Sequence, residues 1–434
     1  MHKIFENLLP NLVLFWTGGF KGLDDIDGCR LTDSVWGAIG QACSMSRRTV
    51  PSSFGAPVPN IASEKSQFTA ENWSFWALYL APALLNRRFQ DARFHQHFVL
   101  LVKLINTCLQ YEMEDKDIDE LRVNMVKWVK VYESLYYGYD PERLSACPLT
   151  VHALLHIADS ITIAGPVWTY WAFPMERYCG ALLPAVKSRR FPYSNLSNHI
   201  SDVALLSAVQ FIYDLDLSFK RPRPGAKKTL TTREYPKSIL LAPNKVIAVP
   251  TTLATKIAVS LATRYDVDVR VARKFVPQQL SQWGKVSRLE GGDTIHARDL
   301  VNQLDTDRDA SFTRYTQLVD IAARRRGANP IFEPHDFYGQ LRTILEIDIP
   351  RSQQLGTANP EKLLLAVVHA LKTEIVRGAG GAVQYKETTA GLGRLDVVDL
   401  ATLQCGIGRV SDRGHWVLID RSGPYAQASF SLAT

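Results

Sequence analysis

Apolar side chains recur every three to four residues through most of the first half of the chain. Between Phe94 and Tyr111 they stand at Phe98, Leu101, Val102, Ile105 and Leu109. This spacing places them on one face of an α-helix. Asp115–Tyr137 repeats the pattern, and Gly138-Tyr139-Asp140-Pro141 after it predicts a turn. We therefore predict that residues 1 to about 215 are mainly helical.

Two other apolar runs predict buried helices. Leu8–Trp16 is too short to span a bilayer and contains Pro10 and Asn11, so we predict a buried helix and no membrane segment. Thr69-Ala70-Glu71-Asn72 approximates a capping box, with Thr69 as the N-cap. Trp73–Leu80 behind it is apolar on most faces, which is typical of a deeply buried helix.

The pattern changes after Phe219. Lys220–Lys228 is basic and rich in proline, which predicts an exposed, semi-rigid linker. Thr251–Tyr265 predicts a short helix. From about Gln282 onward, short alternating or β-branched runs are separated by Gly, Asp and Asn, which predicts a small β-barrel or sandwich. Examples of these runs are Leu341–Ile349, Leu395–Ile407 and Trp416–Ile419.

These patterns predict an α+β multidomain fold. A chain of 434 residues exceeds one ordinary hydrophobic core, so more than one domain is expected. We predict a mainly helical region at residues 1–218, a basic linker at 219–245, and a β-rich region at 246–434 with a short helix at its start.

Composition narrows the function classes only slightly. The net charge of +7 permits a polyanionic partner but does not require one. The six cysteines are scattered without a C-x-x-C pair, which argues against a zinc ribbon or a disulfide framework and favours a reducing compartment.

The candidate chemistry lies between Thr150 and Pro192. Glu176 follows Pro174 by two residues, and a glutamate in a first helical turn is stabilised by the helix dipole, so a structural role is the usual one. His152 and His156 are four residues apart and share a helical face with Asp159, a spacing that permits metal ligation. Further ligands are not evident, which favours core or active-site-lining histidines over a metal site.

The ordered motifs of the whole chain resemble the CACTA (En/Spm-type) DNA transposases, in the form common in fungi. The segments that carry the resemblance are His2, Glu6-Asn7, Pro10–Val13, Trp16–Gly18, Phe20–Asp24, Pro59–Ala62, Phe68–Glu71, Trp73–Trp76, Thr150–Asp159, Gly165–Trp168, Trp171–Gly180, Lys187–Pro192, Trp283–Val286, Gly291–Thr294, Phe337–Gln340 and Asp420–Gly423.

The resemblance implies an RNase H-like nuclease core interrupted by a helical insertion. It assigns Glu176 to the third acid of a D-D-E triad that holds Mg²⁺ in the intact family, with His2, His152, His156 and Arg177 lining the site. The first two acids have no counterpart in this sequence, the second falling just before Met1. Because one glutamate cannot position two metal ions, we expect a truncated relative that does not cut DNA and has no cofactor of its own. Glu176 would bind metal only if the missing acids were supplied.

Two basic segments are candidate DNA contacts. Lys187, Arg189 and Arg190 stand beside Phe191 and Tyr193, a combination that suits phosphates and a stacked base, although a solvated helix end is an equally good interpretation. In the predicted linker the candidates are Lys220, Arg221, Arg223, Lys227 and Lys228. That linker also fits a nuclear localisation signal or a charged spacer.

The leading hypothesis is a transposase-derived, catalytically incomplete nuclear protein that retains DNA binding. One alternative is a non-enzymatic module that binds proteins or chromatin, and another is a fragment of a longer, active transposase. If a sheet that normally covers the Glu176 helix is missing, Phe173, Met175, Tyr178 and Leu182 should form an exposed apolar patch that favours self-association.

Overall fold

The computed structural model describes residues 2–23, 26–215, 229–289, 293–301, 304, 307–323, 329–376, 382–386 and 393–421. Residues 3–213 form a helical half, and the remainder is rich in β-sheet, so the predicted α+β fold is confirmed. No helix in these ranges is both long and apolar enough to cross a membrane.

The helical half begins with a π-helical turn at His2–Leu8, and further short π or 3₁₀ turns connect its α-helices. These α-helices are α1 (Leu9–Thr17), α2 (Asp33–Met45), α3 (Ala70–Phe75), α4 (Ala81–Leu84), α5 (Ala92–Cys108), α6 (Asp115–Tyr132), α7 (Leu149–His152), α8 (Ile157–Ala164), α9 (Phe173–Leu182) and α10 (Pro192–Tyr213).

Local sequence explains several of these helices. Thr69 caps α3 as predicted: its hydroxyl accepts from the backbone N–H of Asn72, whose side-chain oxygen accepts from the backbone N–H of Thr69. The predicted Leu8–Trp16 helix is α1, which buries Leu9, Leu12, Val13, Phe15 and Trp16. The periodic runs at 94–111 and 115–137 correspond to α5 and to α6 with its π-helical extension.

Aromatic side chains fill the core of the helical half. The Trp16 indole N–H donates to the Tyr136 hydroxyl at 3.1 Å, so this buried polar group is satisfied. The rings of His97 and Trp128 stack with centroids 4.3 Å apart. Trp16, Trp76 and Trp128 are all fully buried.

The strands of the second half form two sheets in the described residues. They are β1 (Thr229–Leu230), β2 (Ser238–Ala248), β3 (Gln279–Arg288), β4 (Thr294–His296), β5 (Phe312–Asp320), β6 (Phe332–Ile349), β7 (Glu361–Ala370), β8 (Thr373–Ile375), β9 (Val383–Tyr385), β10 (Leu395–Asp399), β11 (Leu403–Gly406), β12 (Gly408–Asp412) and β13 (His415–Ile419).

The larger sheet has nine strands and is organised around the long strand β6. The first half of β6 pairs with β5, its second half contacts β3, and β7 runs antiparallel along its other edge. The helix α11 (Thr251–Tyr265), predicted with these bounds, buries Leu253, Ile257 and Leu261 in the same core as β7. The short helix α12 (Val269–Arg273) follows it.

The smaller sheet, in the order β12-β13-β9-β8, joins the two halves. Its hairpin turns at Arg413-Gly414, where both residues have positive φ. Val410, Val417 and Ile419 from this hairpin are buried in the same core as the helical half. The protein therefore closes its N-terminal core with strands from its C-terminal end.

Three details of the sequence prediction are corrected. The described strands form no closed barrel, because the two sheets have separate sets of strands. Leu395–Ile407 is not one strand: a 3₁₀ turn at Leu400–Thr402 divides it, so that β10 pairs with β7 and β11 with β5. The proposed linker 219–245 overlaps β2, whose backbone pairs with β3 from Ser238 onward.

Candidate nucleic-acid interface

Glu176 lies in the first turn of α9, where the sequence placed it. Pro174 is in the opening positions of the helix, and the backbone N–H of Glu176 donates to the carbonyl of Ala172 at 2.9 Å. Glu176 and the neighbouring Arg177 are both exposed. A carboxylate at this position is stabilised by the partial positive charge of the helix N-terminus.

The pair His152 and His156 is also at the surface. Their Nε2 atoms lie 3.2 Å apart, and both residues are exposed. The interpretation of these residues as core histidines is therefore wrong: Val151 and Leu154 point into the core instead. Asp159, on the same side, is bound by the guanidinium of Arg122 at 3.2 Å.

Of the residues predicted to line a site with Glu176, His156 borders a cavity in the described structure. A cavity of about 270 Å³ is lined by His156, Tyr170 and Trp171 among others, and neither His152 nor Glu176 belongs to its lining. The side chain of His2 lies outside the described residues.

Glu176 is the residue that the resemblance assigns to a two-metal centre. Such a centre needs several converging carboxylates. Among the described residues, no group of three or more His, Cys, Asp or Glu side chains is placed to hold a metal ion.

The basic segment Lys187–Tyr193 is presented at the start of α10. Its backbone is held locally: the N–H groups of Lys187 and Ser188 both donate to Oδ1 of Asn195, each at 2.9 Å. Lys187, Arg189 and Arg190 are exposed, as are the rings of Phe191 and Tyr193. The guanidinium of Arg190 lies 5.3 Å from the centre of the Phe191 ring.

This arrangement suits a nucleic-acid strand. The cations can contact phosphates, the rings offer flat faces for bases, and the N-terminus of a 22-residue helix adds partial positive charge. The other predicted DNA contacts, Lys220, Arg221, Arg223, Lys227 and Lys228, lie outside the described residues.

Several motif residues of the second half have structural partners. Tyr338 donates to the carboxylate of Asp420 at 3.3 Å, and Trp283 donates to Glu346 at 2.8 Å. Arg421 bonds the carboxylate of Asp293 and donates to the carbonyl of Ser53 at 2.8 Å. Segments far apart in the sequence thus meet, and Arg421 links the sheet to the helical half.

Sequence reasoning missed two features. One is the exposure of α10, none of whose residues is buried. Its apolar composition on all sides is typical of a buried helix, so the sequence pattern predicts burial and not exposure. The other is a basic cavity between the two halves, lined by Lys285 and His296. These residues are separated in sequence and no local pattern connects them.

No family model, curated protein or solved structure matches the chain in the comparisons made with known proteins.

Proposed function

We propose that the chain is a transposase-derived nuclear protein that binds DNA and does not cut it. The observation that carries DNA binding is the exposed set of three cations and two aromatic rings in Lys187–Tyr193. The ordered resemblance to CACTA transposases supports the origin. We propose that the protein does not cut DNA because the resemblance assigns only one catalytic acid, Glu176, within the sequence. One carboxylate cannot position two metal ions.

The side chains of Lys187–Tyr193 favour contacts with the nucleic-acid phosphate backbone over recognition of specific bases. Lys and Arg side chains that neutralise phosphates release counterions, so binding of this kind weakens steeply with salt. Stacking on Phe191 and Tyr193 tolerates every base, because each base has a π-face. The expected activity is binding with little sequence preference, strongest where a strand is open.

Salt-dependent titration tests this proposal. We expect fluorescence anisotropy with labelled duplex and single-stranded oligonucleotides to show affinity that falls steeply with salt. The double variant R189A/R190A should weaken binding about tenfold or more and lower the salt slope by roughly two, one for each lost phosphate contact. R270A/R273A, which removes two exposed arginines of α12, is the matched control. Equal losses in both variants would show that only net charge matters and would refute an interface at this segment.

The proposed lack of cleavage has its own assay. Purified protein is incubated with plasmid and oligonucleotide DNA in Mg²⁺ or Mn²⁺, and the expected result is no cleavage or strand joining above that of the Glu176→Ala variant. Metal-dependent products that disappear in this variant would overturn the proposal and assign Glu176 a present catalytic role.

A second candidate function is a non-enzymatic interaction module, and the exposed apolar surface of α9 and α10 favours it. Met175 is 65% exposed and Tyr178 is 53% exposed, as expected for the patch on α9, whereas Phe173 and Leu182 are half-buried. On α10, Leu205 is 66% exposed and Phe211 is 90% exposed. We propose a second copy of the chain as the occupant of this surface.

A further inference from the structure

A cavity of about 710 Å³ lies between the helical half and the larger sheet. One wall is the short segment Pro51–Ser53 of the helical half. The other walls come from β3, β4 and the segment Asp307–Ser311. Arg308 connects the two sides of the cavity, because its guanidinium donates to the carbonyls of Val50 and Gly55 at 2.6 Å each. The cavity is therefore part of the junction between the halves.

Four basic side chains contribute to the lining of this cavity. Lys285, His296, Arg298 and Arg308 all belong to its lining. Burial lowers the pKa of His296 and the nearby Lys285 ammonium lowers it further, whereas the carboxylates of Asp309 and Asp307 raise it. Burial also lowers the pKa of Arg308, with a further contribution from Arg47. With its pKa below 6.5, His296 is mainly neutral at pH 7 and can donate one ring N–H, while Lys285 supplies positive charge, a combination that suits a bound anion.

Two of these groups have unused hydrogen-bonding capacity. Among the described residues, neither the Lys285 ammonium nor the His296 ring has a hydrogen-bond or ion-pair partner. Ser52, Ser53 and Thr294, which carry hydroxyl groups, line the same space. An ammonium together with several neutral donors is a common way to hold the oxygens of a phosphate group.

The acidic residues of the lining do not cancel this charge by pairing with Lys285. Asp309 accepts from the backbone and hydroxyl of Ser311 and forms an ion pair with Arg409 at 2.9 Å. Asp307 accepts from the backbone N–H of Leu304 at 3.0 Å. Both carboxylates have partners other than Lys285, although both also act electrostatically on His296.

We propose that this cavity is a phosphate-binding site, in which Lys285 and His296 contact the phosphate oxygens. The described lining offers no aromatic ring other than His296 on which a base could stack, so recognition rests on the phosphate. The phosphate belongs either to a polynucleotide backbone or to a small phosphate ester. The site is separate from Lys187–Tyr193 and does not depend on DNA binding there.

Calorimetry with inorganic phosphate tests the site in the full chain. We expect saturable binding that Lys285→Gln weakens by about tenfold, the effect of losing one charge-assisted contact. Lys285→Arg keeps the charge and should retain most of the affinity, which separates loss of charge from loss of fold. Lys245→Gln, at an exposed position of β2 in the same sheet, is the control for net charge. The absence of saturable phosphate binding, or an equal loss in both glutamine variants, would overturn the proposal.

Two further arms identify the source of the phosphate. If Lys285→Gln also weakens binding of a duplex oligonucleotide, the phosphate is that of a nucleic-acid backbone. If duplex binding is unchanged while phosphate binding is lost, the ligand is a small phosphate ester. The R189A/R190A variant should bind inorganic phosphate like the wild type. This result distinguishes a loss of DNA binding at Lys187–Tyr193 from a loss of phosphate binding at Lys285.

Discussion

Two buried polar side chains, Arg409 and His97, are held by specific partners inside the protein. Arg409 is nearly buried on β12, where its guanidinium donates to the Tyr385 hydroxyl at 2.7 Å and pairs with Asp309. The same group lies 3.5 Å from the centre of the Phe312 ring. His97 is buried in the helical half, with Nε2 3.1 Å from the carbonyl oxygen of Trp128. Both side chains depend on partners far away in sequence.

Replacing Arg409 should destabilise the protein strongly. Arg409→Ala leaves the carboxylate of Asp309 nearly buried without its counter-ion, a change that costs about 3–5 kcal/mol of unfolding free energy. Urea denaturation measures the loss. The double variant R409A/D309A should recover part of it, because the unpaired charge is gone. A loss below about 1 kcal/mol would show that water replaces the pair and that the site is not desolvated.

The stability of the helical half should depend on pH through His97. Burial lowers its pKa from 6.5 to about 4, partly opposed by the hydrogen bond to Trp128. Its Nδ1 has no hydrogen-bond partner among the described residues, so a proton there would be an unpaired buried donor. The folded pKa is below the unfolded one, so the unfolded chain binds the proton more readily. The contribution of neutral His97 is therefore present above pH 6.5 and is lost as the pH falls towards 4.

The measurement is the unfolding free energy across this pH range for wild type and His97→Gln. The wild type should lose as much as roughly 3 kcal/mol more than the variant, since each pKa unit corresponds to about 1.4 kcal/mol. His335→Gln, at an exposed position of β6, is the matched control. Parallel pH profiles for wild type and His97→Gln would contradict the prediction.

Among the elements, the helix α10 is apolar in composition but exposed to solvent. It is 22 residues long, about 33 Å, and has no charged residue between Asp202 and Asp214. Nine of its large apolar residues are exposed. These residues are Tyr193, Ile200, Val203, Leu205, Leu206, Val209, Phe211, Ile212 and Tyr213. A stable interface buries about 800 Å² of each partner.

A charge placed on α10 should prevent self-association. The same patch on both copies forms a two-fold interface, so each Leu205→Glu substitution places two charges in it. We expect wild type to sediment as a dimer at micromolar concentration and Leu205→Glu to sediment as a monomer. Leu318→Glu is the control, since Leu318 on β5 is 69% exposed and Leu205 is 66% exposed. A monomeric wild type, or a dimer that survives Leu205→Glu, would refute this surface as the contact between copies.

For the molecule as a whole, the smaller sheet makes the two halves interdependent. Val410 on β12 is fully buried in the core of the helical half. The backbone N–H of Arg409 donates to the carbonyl of Thr49 at 3.0 Å, and Arg88 forms an ion pair with Asp412 at 2.6 Å. Residues 324 to 360 positions apart thus share one core and one set of polar contacts, so the halves should unfold together.

Shortening Val410 tests this coupling. Val410→Ala should lower the unfolding free energy reported by tryptophan fluorescence by about 2 kcal/mol, through lost burial and the cavity left behind. Seven of the nine tryptophans belong to the helical half, so fluorescence reports mainly on that half. Val246→Ala, at an exposed position of β2, is the control. An unchanged fluorescence transition would show that the helical half is stable without the hairpin.

Much of the secondary structure could be predicted from local sequence. The capping box at Thr69, the periodic runs of α5 and α6, and the bounds of α11 all follow from interactions within a few residues. Glu176 could be placed in a first helical turn by Pro174 for the same reason. Such interactions depend on the order of neighbouring residues, so the chain itself specifies them.

Tertiary structure alone decided which surfaces meet. An apolar pattern shows that a face avoids water but does not identify what covers it: α1 is covered by the helical core, whereas α10 is exposed. The division of Leu395–Ile407 depends on two different partner strands, and the cavity at Lys285 depends on a wall from Pro51–Ser53. Contacts between distant segments carry no local signature, because they depend on the complementary surface as much as on the segment itself.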